Sequence, residues 1–455
     1  MSVGRIFLWI VISTIVIMLL ILKFNINATI ALCGGAIVLG IGGDVGLANT
    51  AVTLGNGFGN MMTSLGLPIG FGVILGELMS ECGACRSIAQ TLIRNAGKKY
   101  IYLAVAFAGY ILSIPVFADI AFIILIPLCV EIARELDDPL PYSVGAATVG
   151  TACTAFLVPP TPAPLAIPDY FVDVNVGDMV FVGIIVAAVL AFITTIFYCK
   201  MLDHGFFDKK CYAGNPKLKL ETVENSNSDT EKDPAFIVSL IPILIPVILL
   251  VMSTVTGAFG IENEIISFVS NRNIAMMAGA IAAYILATKN MSSKEIGDAA
   301  TKSLSDAGTV MLITGAGGSF AAVIESTGLS SSLAETLSAN GFASPVIILL
   351  ISYGIGFIFR VSLGSGTMAT ITSSSIMGGV LATGEIGLAG IWCALACIAG
   401  SMSFPHINDS GFWVTTNMSG YTVKGGLKTY STIHFMLSIQ VLIIAIAGGF
   451  ITSMF

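Results

Sequence analysis

Gly83-Ala-Cys-Arg-Ser-Ile-Ala-Gln-Thr-Leu92 and Gly328-Leu-Ser-Ser-Ser-Leu-Ala-Glu-Thr-Leu337 are two versions of one pattern, 245 residues apart (328 − 83 = 245). The same offset lays Gly70-Phe-Gly72 on Gly315-Ala-Gly317, Pro115-Val-Phe-Ala-Asp119 on Arg360-Val-Ser-Leu-Gly364, and Pro160 on Pro405. Four ungapped matches at one offset describe a chain built twice from the same plan. The only long hydrophilic stretch, about Lys200 to Pro234, separates the two copies and carries six lysines and seven acids. It includes the disorder-prone run Glu221–Asp233. The chain therefore divides into a first transmembrane repeat, 1–199, a hydrophilic cytoplasmic loop, 200–234, and a second transmembrane repeat, 235–455.

The repeats are membrane units because of what surrounds the pattern. Of 455 residues 55% are hydrophobic and 10% charged, too few charges to clothe a globular surface. Ile6–Leu22, Ile101–Ile114, Val180–Tyr198, Phe236–Met252 and Val346–Phe359 each approach the ~20 apolar residues that cross a bilayer. The first of these ends at Lys23-Phe-Asn25 without a small-x-small cleavage pattern and is read as a retained helix. With 49 glycines and 16 prolines, many in apolar runs, the helices must be interrupted. Interruptions survive in lipid only where the freed backbone groups are buried in protein or line a wet cavity, the construction of transporters. A net charge of −7 with no basic, aromatic-rich patch excludes a nucleic-acid partner. The nine cysteines are mostly single, and Cys82-x-x-Cys85 lacks a second pair or a βαβ setting for metal or redox work.

Charge fixes the relation between the copies. Arg94–Lys99 holds three basic residues and its counterpart Ala339–Ser344 none, whereas Lys289–Lys302 holds three and its counterpart Asp44–Gly57 none. Cationic loops face the cytoplasm, so equivalent loops lie on opposite sides and the repeats are inverted. The expected fold is an all-α integral membrane protein of two inverted-topology repeats with discontinuous helices and re-entrant hairpins, about 12–14 membrane segments.

Three pairs of polar interruptions are candidates for chemistry. Gly55-Asn-Gly-Phe-Gly-Asn60 and Thr314-Gly-Ala-Gly-Gly-Ser-Phe320 read either as close helix packing or as re-entrant hairpins presenting Asn56 and Asn60 to substrate. Asp119 and Arg360 lie between apolar runs, where a charge needs a partner or water; Arg360 either holds a substrate carboxylate bidentately or snorkels to the interface. Ser362, Ser365, Thr367 and Thr370, in the hydroxyl-rich run Ser362–Thr372, suit an unwound segment facing an anion. Pro159-Pro-Thr-Pro-Ala-Pro164 cannot be helix, and Thr161 within it is a candidate to meet substrate. Its partner, Phe404-Pro-His-Ile-Asn-Asp-Ser-Gly-Phe-Trp413, offers Asn408 to substrate and His406 or Asp409 as the site of the coupling cation, with helix capping the plainer role for Asp409 and Ser410. His204 lies in the loop and His434 near a helix start.

At these residues the chain resembles the gluconate permease family, gluconate:proton symporters within the larger ion-transporter superfamily. The resemblance covers essentially the whole length. It rests on Pro405-His-Ile-Asn-Asp-Ser-Gly-Phe-Trp413, on Arg360-Val-Ser-Leu-Gly-Ser-Gly-Thr-Met-Ala-Thr-Ile-Thr372, on Phe71-Gly-Val-Ile-Leu-Gly-Glu-Leu78 and on Ile114-Pro-Val-Phe-Ala-Asp119. It implies a multi-pass plasma-membrane permease for gluconate, related aldonates and ketoaldonates, or in some members D-serine. One run departs from the family pattern Pro-Pro-His-Pro-Gly-Pro: here Thr161 stands for the His and Ala163 for the Gly, a change beside the expected site.

The expectation is a secondary transporter importing gluconate or a related small hydroxy-carboxylate by symport with H⁺ or Na⁺, without a cofactor or resident metal. Its partners are the small organic anion and the lipid bilayer; a homo-oligomer is left open. The rivals are a permease for D-serine or another organic anion, a membrane-embedded enzyme, and a channel. The enzyme reading lacks a nucleophile–base pair or a cluster at metal-ligand spacing, and a channel would not need two matched sets of broken elements.

Overall fold

The computed structural model describes residues 3–452 except 25, 213–232, 260, 262, 340–343, 385–386 and 408. Most of the polar loop, with all but the last residue of Glu221–Asp233, lies outside the described residues, as does most of Ala339–Ser344. The first repeat begins with α1 (Val3–Met18), carried by a π-helical turn to Lys23, and α2 (Ala28–Gly42). Next come α3 (Leu47–Met61) and α4 (Leu67–Glu81), fused through a π-helical turn into one 35-residue helix, Leu47–Glu81. It continues with α5 (Ala84–Asn95), α6 (Gly97–Leu112), α7 (Ala118–Leu136), α8 (Pro141–Leu157), the single turn α9 (Pro162–Leu165) and α10 (Val176–Asp203).

The second repeat contains α11 (Phe236–Ala258), α12 (Glu264–Val269), α13 (Arg272–Ala287), α14 (Ser293–Ser326) and α15 (Leu329–Ala339). It ends with α16 (Pro345–Leu363), α17 (Gly366–Ala382), α18 (Gly390–Met402), α19 (Ser410–Met418), α20 (Val423–Gly426) and α21 (Thr432–Thr452). Shifting by 245 residues carries α2, α3–α4, α5, α6, α7, α8 and α10 onto α13, α14, α15, α16, α17, α18 and α20–α21, within six residues at each end. Among the described residues, eight helices are long and apolar enough to cross a membrane, and α2, α13 and α18 are shorter apolar helices.

Side-chain contacts give the direction of each element. Tyr102 donates to Asp138 (2.5 Å) and Tyr142 to Asp203 (2.7 Å), which places the starts of α6 and α8 and the ends of α7 and α10 on one face. On that face Asn290 Nδ2 donates to the Cys82 carbonyl (3.2 Å) and Lys302 pairs with Glu77 (3.0 Å). Arg94, Lys98, Lys99, Lys289 and Lys294 belong to the same ends, so this is the basic face. On the opposite face Arg272 pairs with Asp169 (2.5 Å) and Asp173 accepts from the Gly390 amide (2.7 Å). The unit α8–α9 thus runs from the basic face to the opposite one. Its counterpart α18–α19 runs the other way and ends where the Thr422 amide donates to the Cys211 carbonyl (2.8 Å). The inversion expected from the lysines is present in the packing.

Both hairpins follow from single residues. The chain leaves α6 at Leu112, Pro115 prevents the helix from continuing, and α7 returns to the basic face. In the second repeat Gly364, at φ +69°, closes α16 with its amide on the Arg360 carbonyl (3.1 Å), a left-handed cap that only glycine adopts without strain. The chain then reverses into α17. The tips, 113–117 and 364–365, enter from opposite faces. The hairpins are therefore α6–α7 and α16–α17, and not the glycine runs at 55–60 and 314–320. Those runs lie in continuous α3 and α14, where a Cβ on Gly57 would stand 2.6 Å from the Gly318 carbonyl. There the small residues serve close helix contact, reinforced by Ser319 donating to the Leu54 carbonyl (2.8 Å).

The helices around this centre exchange partners across the repeats: α2 packs on α14, and α13 packs on α4. The amphipathic α5 buries Ala84, Cys85, Ile88, Ala89 and Ile93 along one stripe, against α6 and α11 at the basic face.

The basic face also carries an exposed clasp. Asp208, beyond α10, accepts from Lys424 Nζ (2.7 Å), and Lys428 Nζ stands 3.7 Å away. The hydrogen bond from Lys424, then that from the Cys211 thiol and the charges of Lys424 and Lys428, hold the Asp208 carboxyl down at about 2. A depressed carboxyl stabilises the fold above its unfolded value of about 3.9 and loses that contribution as pH falls through its folded value. The difference in melting temperature between wild type and Asp208→Asn is therefore expected to be small at pH 6 and to vanish toward pH 2. A difference that grows on acidification would contradict the clasp.

Candidate functional site

The hairpin tips and the two helix breaks meet. Arg360, in the last turn of α16 just before the second tip, is 1% exposed. Its Nη2 lies 2.6 Å from Asp409 Oδ2 and its Nη1 donates to the Gly364 carbonyl (3.1 Å). The face of the guanidinium rests 5.8 Å from the centre of the Phe156 ring, at the end of α8 just before the first break. Asp409 stands in the second break and caps α19, its Oδ1 accepting from the Phe412 amide (3.0 Å). Two charges so far from water persist because each has a close opposite charge and a backbone hydrogen bond.

Asp119, in the first turn of α7, approaches from the first hairpin. A Cβ on Gly411 would lie 3.0 Å from its Oδ1, so glycine at 411 lets α7 and α19 close on each other. Tyr430 brings its hydroxyl against the same glycine. His434, one turn along, is 1% exposed; its Nδ1 is 2.8 Å from the Tyr430 carbonyl, and its ring is 4.1 Å from the Tyr430 ring and 6.0 Å from Phe156. Ser431 Oγ donates to the Pro405 carbonyl and ties the start of α21 to the break. Phe404, beside Pro405, adopts φ +37°, an uncommon conformation for a residue with a Cβ.

The expected site residues divide into three groups. Asp119, Arg360 and Asp409 come together, and His406 joins them from the break, bonded to the Val361 backbone. Thr161 is buried at the other break, donates to the Val158 carbonyl (2.8 Å), and lines a narrow cavity with Pro160, Pro115 and Phe117. Asn56 and Asn60 stand on the exposed side of α3, and Asn60 lines a cavity of about 340 Å³ toward the opposite face with Asp169, Glu325 and Ser375. Asn408 lies outside the described residues.

Several expectations need correction. The run Ser362–Thr372 is not unwound beyond the tip at Gly364–Ser365; α17 is regular from Gly366. Ser362 bonds back to the Ile358 carbonyl (2.6 Å), and Ser365 caps α17 by accepting from the Met368 amide (3.4 Å). Thr367 is half-buried, while Thr370 and Thr372 are fully buried, with no partner for their hydroxyls among the described residues. Pro159–Pro164 is not wholly extended, since Pro162 opens the one-turn α9, where a missing amide costs nothing. Arg360 does not snorkel, because Asp409 holds it inside. Tyr430, His434 and Phe156 were not legible as site residues: each sits in an apolar or unremarkable run, and only the fold brings it to the arginine.

Set against known proteins, this arrangement has relatives throughout its length. The family profile described as GntP family permease matches residues 6–451. The chain is a GntP family permease. An uncharacterized permease of Haemophilus influenzae is 32% identical over 425 residues, covering 90% of this chain and 85% of that one. A high-affinity gluconate transporter of Escherichia coli is 29% identical over 454 residues, covering 96% and 97%. The Gnt-II system L-idonate transporter of the same organism is 29% identical over 432 residues, covering 93% and 94%. Among solved structures, the permease shares its fold with the YdaH transporter of Alcanivorax borkumensis, at TM-score 0.56 and 15% identity over 88% of each chain. Neisseria gonorrhoeae MtrF also has TM-score 0.56, with 16% identity over 88% of this permease and 84% of that chain. The permease is a multi-pass membrane transport protein, and its relatives are named as permeases and transporters rather than enzymes.

Proposed function

We propose that this permease imports gluconate or a closely related small hydroxy-carboxylate by symport with a cation, a proton in the first instance. The observation that carries the reading is the buried arginine at the meeting of two inverted hairpins. A guanidinium held at membrane depth is suited to a carboxylate, and the hydroxyls of Thr161, at the first break, and Thr367, in the first turn of α17, are suited to a hydroxylated carbon chain. The names of the relatives support the substrate class. An anion entering a cell that is negative inside is opposed by about 2.3 kcal/mol per 100 mV, so accumulation needs a co-transported cation. Asp119, Asp409 and His406 are the groups available to take it.

The test is uptake of radiolabelled gluconate into proteoliposomes under an imposed proton gradient, and separately under a Na⁺ gradient. Accumulation above the external concentration, collapsing when the gradient is dissipated, is the expected outcome. Accumulation of D-serine but not gluconate would move the substrate class, with Thr161 and Ala163 the first residues to revert. Mere equilibration of every anion tried would contradict symport.

A further inference from the structure

We propose that Asp409 is a placeholder on Arg360: the substrate carboxylate displaces it, and the released Asp409 shares one proton with Asp119, so that anion binding and proton uptake are a single event. The proposal deepens the symport reading and rests on it. Its first support is the geometry of the guanidinium. Nη1 is committed to the Gly364 carbonyl, Nη2 to Asp409 Oδ2 at 2.6 Å, and Nε, though buried, has no partner among the described residues. Nε–H and Nη2–H together form the side edge that a carboxylate grips with both oxygens. Asp409 grips only half of it, because its other oxygen is held by the Phe412 amide at 3.0 Å. A free carboxylate has both oxygens to give and completes the edge that Asp409 leaves half empty.

The second support is what surrounds the displaced group. Asp409 keeps its cap on α19 and so stays in place beside Asp119, across the gap that Gly411 leaves open between α19 and α7. Asp119 enters no ion pair among the described residues. Once the substrate has taken the arginine's charge, two carboxylates facing each other across one glycine cannot both stay ionised, and the pair takes up one proton from the water that admits the anion. The other ionisable groups facing the pair are Arg360, which the substrate now occupies, His406 from the break, and Tyr430 and His434 from the start of α21. With both imidazoles neutral, the site carries +1 − 1 − 1 = −1 before binding and +1 − 1 − 1 − 1 + 1 = −1 after it. Charge at membrane depth is unchanged by the exchange.

The experiment uses the purified full chain in weak buffer with gluconate as probe. Binding is read by the fluorescence of Trp413, whose Nε1 donates to the Ile407 carbonyl beside the site (2.8 Å), and proton uptake by an indicator dye. Wild type is expected to take up about one proton per gluconate bound. Asp409→Asn, which keeps a capping oxygen, is expected to bind roughly tenfold tighter with no proton uptake, because the competitor is gone. Asp119→Asn is expected to bind gluconate without taking up a proton. Unaltered proton uptake in both variants, or weaker binding by Asp409→Asn, overturns the placeholder. Binding by Asp409→Asn but not by wild type supports it while removing gluconate as the substrate. If neither protein binds gluconate or acetate, the minimal carboxylate, the placeholder is also overturned.

Discussion

Arg360→Ala is expected to unfold at a markedly lower temperature than wild type and to show no gradient-driven uptake. The substitution strands Asp409 at the centre of the fold without its cation, and breaking a buried pair by removing one partner costs roughly 3–5 kcal/mol. The same change removes the proposed anchor for the substrate carboxylate. Losing one side of a buried charged contact costs roughly 2–5 kcal/mol of binding, about 30-fold to 4,000-fold in affinity. The two effects are separable. Arg360→Met with Asp409→Leu removes both charges and fills similar space, so stability is expected to return toward wild type while uptake stays absent. Arg360→Lys keeps the charge but not the fork, and is expected to restore stability in part and transport hardly at all. Thermal unfolding in detergent and uptake by proteoliposomes, measured on the same preparations, read the two effects. Normal transport by Arg360→Ala would remove the arginine from the site.

The second large effect is expected from glycines that carry no charge. The limb α6 crosses α8 at Gly109 and Gly150, and the limb α16 crosses α18 at Gly356 and Gly400. A Cβ on Gly150 would run into the Ala106 carbonyl and stand 2.8 Å from the Tyr110 amide. On Gly400 it would meet the Tyr353 carbonyl and stand 2.8 Å from the Phe357 amide. The obstacles are backbone, which cannot swing aside as a side chain does. Gly150→Val and Gly400→Val must therefore push a hairpin limb off its broken helix. They are expected to lose about 1–3 kcal/mol each, together with uptake, because the two hairpins carry Asp119 and Arg360 beside their tips. Gly354→Ala, on the limb α16 that Gly400 meets, is the control: a Cβ there meets nothing within 4 Å, and the change is expected to leave melting and transport intact. Equal tolerance at 354 and 400 would mean that the crossings are looser than their contacts imply.

Much of this could be read from the residues before any coordinates. The 245-residue offset predicts the pairing of nearly every element, because duplication preserves the positions of breaks even where side chains have diverged. The placement of Arg94–Lys99 and Lys289–Lys302 predicts the inversion, because cationic loops face one side of the membrane. Pro115, Gly364, Pro159–Pro160 and Pro405 mark the breaks by their own stereochemistry. What could not be read were contacts between distant segments. The glycines at 55–60 are as compatible with a hairpin as with close packing; only the presence of Gly318 opposite Gly57 decides for packing. The hydroxyls of Ser362–Thr372 suggest unwinding, but a single glycine suffices to turn the chain, and the rest of the run is an ordinary helix with buried threonines. Tyr430 and His434 belong to the site only because α21 returns antiparallel to α10, with Tyr198 reaching the Lys428 carbonyl (3.3 Å).

The ties at the two faces have a bearing on how access alternates. Asp173, from the end of the first broken helix, holds the amide that begins the second, while Thr422 and Lys424, from the end of the second, hold the segment 208–211 that follows α10. These ties moor each broken helix to the other repeat, and the two moorings lie on opposite faces. The halves of the site form one closed loop of attachments, a carriage rather than a pair of jaws. A movement that exposes the arginine to one side must either carry both breaks along together or first cast off a mooring.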